Sequence, residues 1–346
     1  AKSRPRARVD LAGSNLLACA LEDLPGAREA LEITGDSPNG YPPLVSAIAA
    51  RYGVDADRVA TAGGCSGANF LACAALLDAG DEVVIEWPCY DPLVGAVEML
   101  GARPRFFQRA VETDFALEAG LVEKILTPST RLIIVSNPHN PSGVLASDAE
   151  MEALARLSSR TGVPLLVDEV YLETVLDRRL APAAVASPSI VSSNSLTKAY
   201  GLSTLRCGWT LASPEITRKI RRARDIVDVS GAVPAERLSL VALDHMGALE
   251  RRARRLIEAN RALFEELLRR HPALQCAPSV STIAFPRFRD GRDAGPWVRR
   301  LFEEHGVAVV PGSFFGLPAH FRVSLGGATE VVRAGLDAIG RSLSRP

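Results

Sequence analysis

Lys198 sits where an amine could do covalent chemistry. It closes the stretch Ser193-Asn194-Ser195-Leu196-Thr197-Lys198, in which a strand-like segment runs into hydroxyls and then the amine. Arg206 follows eight residues later, ahead of Cys207-Gly208-Trp209. A lysine amine becomes a Schiff-base nucleophile when its surroundings lower its pKa. Hydroxyls and a guanidinium close by suit a phosphate. The chain has only four lysines, at 2, 124, 198 and 219, so nearly all its 40 basic residues are arginine. On these residues alone, a surface loop with an ordinary lysine and arginine remains open.

Three further motifs could carry chemistry, two of them at the ends of strand-like runs. Asp168 directly follows Leu165-Leu166-Val167 and leads into Glu169-Val170-Tyr171. A carboxylate there could pair with a pyridinium nitrogen, which makes such a ring an electron sink; a helix N-cap is the alternative. Ser136-Asn137-Pro138-His139-Asn140-Pro141-Ser142-Gly143 carries two Asn-Pro steps, which fix the backbone in an extended turn. Such a loop can aim an amide at a ligand, or be a plain turn. Gly63-Gly64-Cys65-Ser66-Gly67-Ala68 leads into a helix, where small residues and free N–H groups accommodate an anion. It is neither a dinucleotide fingerprint nor a Walker loop, and Ser66 as a simple N-cap is the alternative.

These motifs need a frame to bring them together. Short apolar runs alternate with helix-like segments, the pattern of a parallel sheet covered by helices. The runs at Val83–Glu86, Leu132–Val135, Leu165–Val167 and Ile190–Ser193 read as buried strands. Ala68–Leu77, Pro92–Leu100 and Asp148–Arg160 read as helices between them. In such sheets the chemistry lies at the carboxyl ends of the strands. A long helical pattern covers His245–Arg270. After it come strand-like pieces at Ser281–Phe285, Val307–Val310 and Phe321–Leu325, with a helix near Thr329–Ser342. This organisation predicts a large α/β domain over 36–245. A smaller α+β domain would combine 1–35 with 246–346.

Forty basic and 40 acidic residues balance to zero net charge, so no field draws nucleic acid or an anionic membrane. No apolar run reaches the ~18 residues a membrane span needs. Ala1–Arg8 is basic, but no apolar signal core follows, and a cytoplasmic location is expected. The six cysteines form no C-x-x-C pair and no histidine stands at zinc spacing, so free thiols and no metal are expected.

Taken together, the glycine turn, the Asn-Pro-x-Asn-Pro-x-Gly loop, the Asp-x-x-Tyr strand end and the Ser-x-x-Lys with its arginine resemble the aspartate-aminotransferase superfamily, class I/II, of pyridoxal 5′-phosphate (PLP) fold type I. The matching landmarks run from Gly64 to Arg322. The resemblance implies a mostly parallel sheet flanked by helices, a smaller second domain, PLP and a homodimer. It implies that Lys198 forms an aldimine with the cofactor and later moves the proton of the substrate. Asp168 would keep the ring nitrogen protonated. Asn140 and Tyr171 would hydrogen-bond the phenolic oxygen, and Tyr90 would stack on the ring. Cys65 and Ser66 amides, the Ser66, Ser195 and Thr197 hydroxyls and Arg206 would hold the phosphate. Arg322, in Phe321-Arg322-Val323-Ser324, would grip the substrate α-carboxylate with Asn140 beside it, and Gly13 would approach the substrate. One departure concerns the tyrosine with which the family reaches the partner's phosphate: Thr34 or Gly35 stands there, and Tyr41 falls after Gly40.

The activity implied is amino-group transfer between an L-amino acid and a 2-oxo acid. A lyase, cyclase or oxidase would use the same Lys198, Asp168 and Arg322, so the motifs do not separate them. A PLP-binding regulatory protein would need a DNA-reading domain, for which the sequence leaves no room. Leu16 and Leu17, near Gly13, are expected to make an apolar wall. No second arginine aligns with the distal end of a dicarboxylic substrate, so a neutral amino acid is expected.

Overall fold

The computed structural model describes residues 7–35, 37–176 and 180–344. Its centre is a seven-stranded sheet in the order Val59–Gly63, Cys207–Leu211, Ile190–Ser195, Leu165–Asp168, Thr130–Ser136, Glu82–Trp87, Arg103–Gln108. Only Cys207–Leu211 runs antiparallel to its neighbours. The inner strands read as continuous apolar runs because helices cover both faces. Val84, Ile133, Val135, Leu165 and Val167 pack into one hydrophobic cluster. Val83, Ile85, Leu132, Ile134 and Leu166, alternating with them, pack into a second. A strand's period of two sends neighbours to opposite faces, so one sheet has two cores.

The register brings the motifs to one edge. Gly63 pairs with Cys207, Ser195 with Gly208, Asp168 with Ser193 and Ser136 with Asp168. The antiparallel strand begins where its neighbours end, which delivers Arg206 to the same edge as Lys198.

The remaining elements pack around the 25-residue helix Met246–Arg270. A three-stranded antiparallel sheet joins Ile283–Ala284, Phe321–Ser324 and Val310–Pro311. Leu11, Phe264, Trp297, Phe321 and Leu336 belong to a third apolar cluster here. The N-terminal segment is stitched in by Val9–Asp10, which pairs with Val307–Ala308.

Several expected elements change at their ends. The strand expected over Val307–Val310 is two pieces, Val307–Ala308 and Val310–Pro311, in different sheets. The strand before the aspartate stops at Asp168, and Glu169 already turns away. The helix expected from Ala68 begins at Gly64. The strands Val59–Gly63, Arg103–Gln108 and Cys207–Leu211 and the helix Pro214–Val227 were not expected at all. Arg103-Pro104-Arg105-Phe106-Phe107-Gln108 lacks an apolar alternation because it is the sheet's edge. Among the described residues, no helix is long and apolar enough to cross a membrane, no metal-binding group of side chains occurs, and all six cysteines are free.

Candidate active site

A cavity of about 270 Å³ opens at the carboxyl edge of the sheet. Cys65, Ser66, Tyr90, Asn140, Asp168, Tyr171, Ser195, Thr197, Lys198 and Arg206, all singled out in the sequence, line it together.

Lys198 lies in the short helix Thr197–Tyr200 that follows the strand Ile190–Ser195. Its Nζ donates to Ser14 Oγ at 2.7 Å and to Asn15 Oδ1 at 2.9 Å. Burial brings its pKa down to about 8, and the Arg322 charge adds to this, while Asp168 opposes it. A charged amine taken from water favours its neutral form, and that form is the nucleophile.

Asp168 ends its strand, 5% exposed. Its carboxylate accepts from Asn69 Nδ2 at 2.8 Å and from Val170 N at 3.1 Å. Ser193 Oγ donates to Asn69 Oδ1 at 2.5 Å and so fixes that amide's orientation. Burial raises the Asp168 pKa against these bonds and the Lys198 charge. A carboxylate so placed retains a demand for a proton or a cation.

The side of the cavity at the Gly63-Gly64 turn is built from backbone. The helix Gly64–Leu76 has no side-chain cap, so its first N–H groups are free. Gly64 has φ +79°, and a Cβ there would stand 2.2 Å from Arg206 Nη2. Gly208 packs equally tightly, since its Cβ would stand 2.3 Å from the Gly64 carbonyl carbon. Arg206, itself at φ +49°, donates to Gly63 O at 3.0 Å and Ser203 O at 3.2 Å. Ser66 is the third helical residue, not the N-cap.

Two buried hydroxyls at the cavity lack a hydrogen bond of normal geometry, Tyr171 Oη and Thr197 Oγ1. Burial pushes Tyr171 up to about 12, against the lowering influence of Arg322 and the Ser14 hydroxyl. Arg322 reaches the site through Asn140: its Nη1 donates to Asn140 Oδ1 at 3.1 Å and its Nη2 to Ala12 O at 3.3 Å. Its Nε is buried without a partner, and Phe315 lies 5.3 Å away as a cation–π neighbour.

The profile of the family described as aminotransferase class I and II matches residues 11–339. The chain belongs to the class I and II aminotransferases. It is 34% identical over 306 residues to capreomycidine synthase of Streptomyces vinaceus, covering 87% of this chain and 78% of that protein. It is 30% identical over 297 residues to histidinol-phosphate aminotransferase 2 of Ralstonia nicotianae, covering 83% and 75%. Among solved structures, a PLP-dependent aminotransferase from Streptococcus suis shares the fold with a TM-score of 0.91 at 24% identity, over 97% of this chain and 93% of that one. This aminotransferase is PLP-dependent, and its fold is type I.

The residues present fit that cofactor. Orphaned hydroxyls at Tyr171 and Thr197, free helix N–H groups beside Arg206 and a buried carboxylate in want of a cation are complementary to a phenolic oxygen, a phosphate and a pyridinium. Ser14, Asn15, Asn69, Ser136 and Ser193 also lie at the site and were given no role of their own in the sequence. Their signal is only tertiary, because isolated Ser and Asn residues occur throughout any chain. Gly13 is exposed with no protein atom within 4 Å of a Cβ position; Asn15, two residues on, lines the cavity. The apolar wall expected from Leu16 and Leu17 is not there. Leu16 is buried against Ala253 and Ile257 of the long helix, and Leu17 is 39% exposed.

Proposed function

We propose that this enzyme moves an amino group between an L-amino acid with a neutral side chain and a 2-oxo acid, as a homodimer. The observation that carries the reading is the convergence of Lys198, Asp168 and Asn140 on one cavity, with Arg322 bonded to the Asn140 amide oxygen. When bound, PLP links covalently to an amine and draws electrons from the bonds at the amino acid's Cα. Asp168 would hold its ring nitrogen protonated, Tyr90 would stack on the ring, and Tyr171 and Asn140 would bond its phenolic oxygen. The Gly64 turn, Ser195, Thr197 and Arg206 would hold its phosphate. Arg322 presents a guanidinium fork to the α-carboxylate, a geometry an ammonium lacks. The Lys198 amine, once free, takes the Cα proton, and a pKa near 8 suits a base that works close to neutrality.

The neutral side chain is supported by charge. The charged residues lining the cavity are Asp168, Lys198 and Arg206, and each has a part already. Among the described residues no further arginine lines it. A second reading is a lyase or cyclase using the same residues, since one relative carries the name of a synthase. Half-reaction spectroscopy with a panel of amino donors separates the two. Conversion to the pyridoxamine form with a neutral donor, and return with a 2-oxo acid, is expected. A spectrum that never reaches that form with any donor overturns the transaminase reading, and a clear preference for aspartate or glutamate overturns the neutral one.

A further inference from the structure

A buried ion pair lies beside the site without touching it. Glu86 and Arg109 are both 0% exposed, joined by Arg109 Nη1 and Glu86 Oε2 at 2.8 Å. Arg109 is anchored by its Nε on Phe115 O at 2.7 Å and by its backbone N–H on Trp87 O at 2.8 Å. The other Glu86 oxygen, Oε1, accepts from Ser136 N at 2.7 Å and Ser136 Oγ at 2.5 Å. Ser136 Oγ in turn accepts from Asn140 N at 3.1 Å, and Asn140 Oδ1 accepts from Arg322.

The polarity of this chain of bonds is fixed at its far end. Arg109 can only donate, so Glu86 must accept from it. Glu86 as a carboxylate can only accept, which commits the Ser136 hydroxyl proton to it. The serine oxygen then keeps a lone pair for the Asn140 N–H. Asn140 is 7% exposed, and a buried N–H left without an acceptor is destabilising.

We propose that Glu86, Arg109 and Ser136 form a buried positioning chain that sets Asn140 and, through its amide, the Arg322 guanidinium for the substrate carboxylate. The proposal rests on reading Arg322 as the carboxylate-binding residue. Neither Glu86 nor Arg109 touches substrate or cofactor; both act through the loop.

Two variants of the holoenzyme test it. Ser136→Ala removes the acceptor of the Asn140 N–H. Glu86→Gln keeps volume but reverses the chain: Arg109 claims the amide oxygen, and the NH₂ then faces the serine. Each is expected to raise KM for the amino donor about tenfold, the worth of one hydrogen bond to a charged group. The fall in kcat should be smaller. Ser136→Thr, which retains a hydroxyl, should stay within about twofold of the parent. A role in stability alone would lower the melting temperature and leave KM where it was, and that result overturns the proposal. If Ser136→Ala fails to fold, Ser136→Cys, with a weakly accepting thiol, carries the same comparison. Arg322→Lys is run alongside. A raised KM there with normal KM in the Ser136 and Glu86 variants rejects the positioning chain; a normal KM in Arg322→Lys rejects the carboxylate reading and the chain with it.

Discussion

Lys198 carries two experiments at the scale of the single residue. Borohydride should fix PLP to Lys198 covalently, and peptide mapping should find the adduct there. A Lys198→Ala protein that still forms the adduct would end the assignment. The second experiment concerns pH in the cofactor-free protein. Burial, with Arg322, depresses the folded-state pKa to about 8 from an ordinary value of 10.5. Between those values the unfolded chain binds the extra proton, so stability rises with pH across that window. Below it the buried ammonium costs on the order of 3 kcal/mol. Lys198→Met should therefore be more stable than the parent at pH 7 by up to that amount, with the difference shrinking from pH 8 to 10. Urea unfolding at several pH values measures it; a constant difference would show that the amine is not desolvated. Asp168→Ala should keep most of its PLP and lose most of its turnover, by several kcal/mol in the barrier. Near-normal rates in that variant would remove Asp168 from its role.

The elements decide how those residues are presented. The turn Gly63-Gly64 leaves the first helical N–H groups bare and admits Arg206 where a methyl would sit. Gly64→Ala meets both a left-handed φ and a 2.2 Å contact with Arg206. It should weaken PLP binding at least tenfold, since the guanidinium and the helix terminus must separate. Equilibrium dialysis of PLP against the variant checks this, and unchanged affinity would mean that the turn is not the phosphate seat. The N-terminal segment is equally specific. Leu16 N bonds Lys198 O at 3.0 Å, and Leu17 N bonds Gly326 O at 2.6 Å. Gly201 lets the Leu17 carbonyl pass where a Cβ would stand 2.1 Å from it. Backbone contacts of Leu16 and Leu17 thus hold this segment against Lys198, Gly201 and Gly326.

At the scale of the whole molecule the reading predicts a homodimer, the commonest symmetric assembly. Light scattering of the active enzyme should give twice the chain mass of 36.9 kDa. A fully active monomer would contradict it. Thr34 and Gly35 make no cross-subunit tyrosine available: Thr34 Oγ1 bonds Glu32 at 3.0 Å, and Tyr41 Oη lies near Arg237 at 3.5 Å. In the proposed reading the phosphate rests on the Gly64 turn, Ser195, Thr197 and Arg206, which raises the weight of the Gly64→Ala measurement.

The sequence by itself determined the parallel sheet and singled out ten residues that line one cavity at the carboxyl ends of its strands. Apolar runs of two to four residues are legible because both faces of the inner strands are covered. Asp168 is legible because it follows such a run directly, and Asn140 and Lys198 because they lie in polar motifs that begin where such runs end. Cys207–Leu211 was invisible as a strand, since a short Cys-Gly-Trp-Thr-Leu segment becomes one only between Val59–Gly63 and Ile190–Ser195. Leu16 could not be assigned to a face without the long helix it packs on. Only the tertiary structure showed that Ser14 and Asn15 hold the lysine amine, 184 and 183 residues away in sequence. It alone showed that Glu86 and Arg109 meet behind Asn140. Such contacts depend on register between strands and on burial, and no local pattern of residues encodes either.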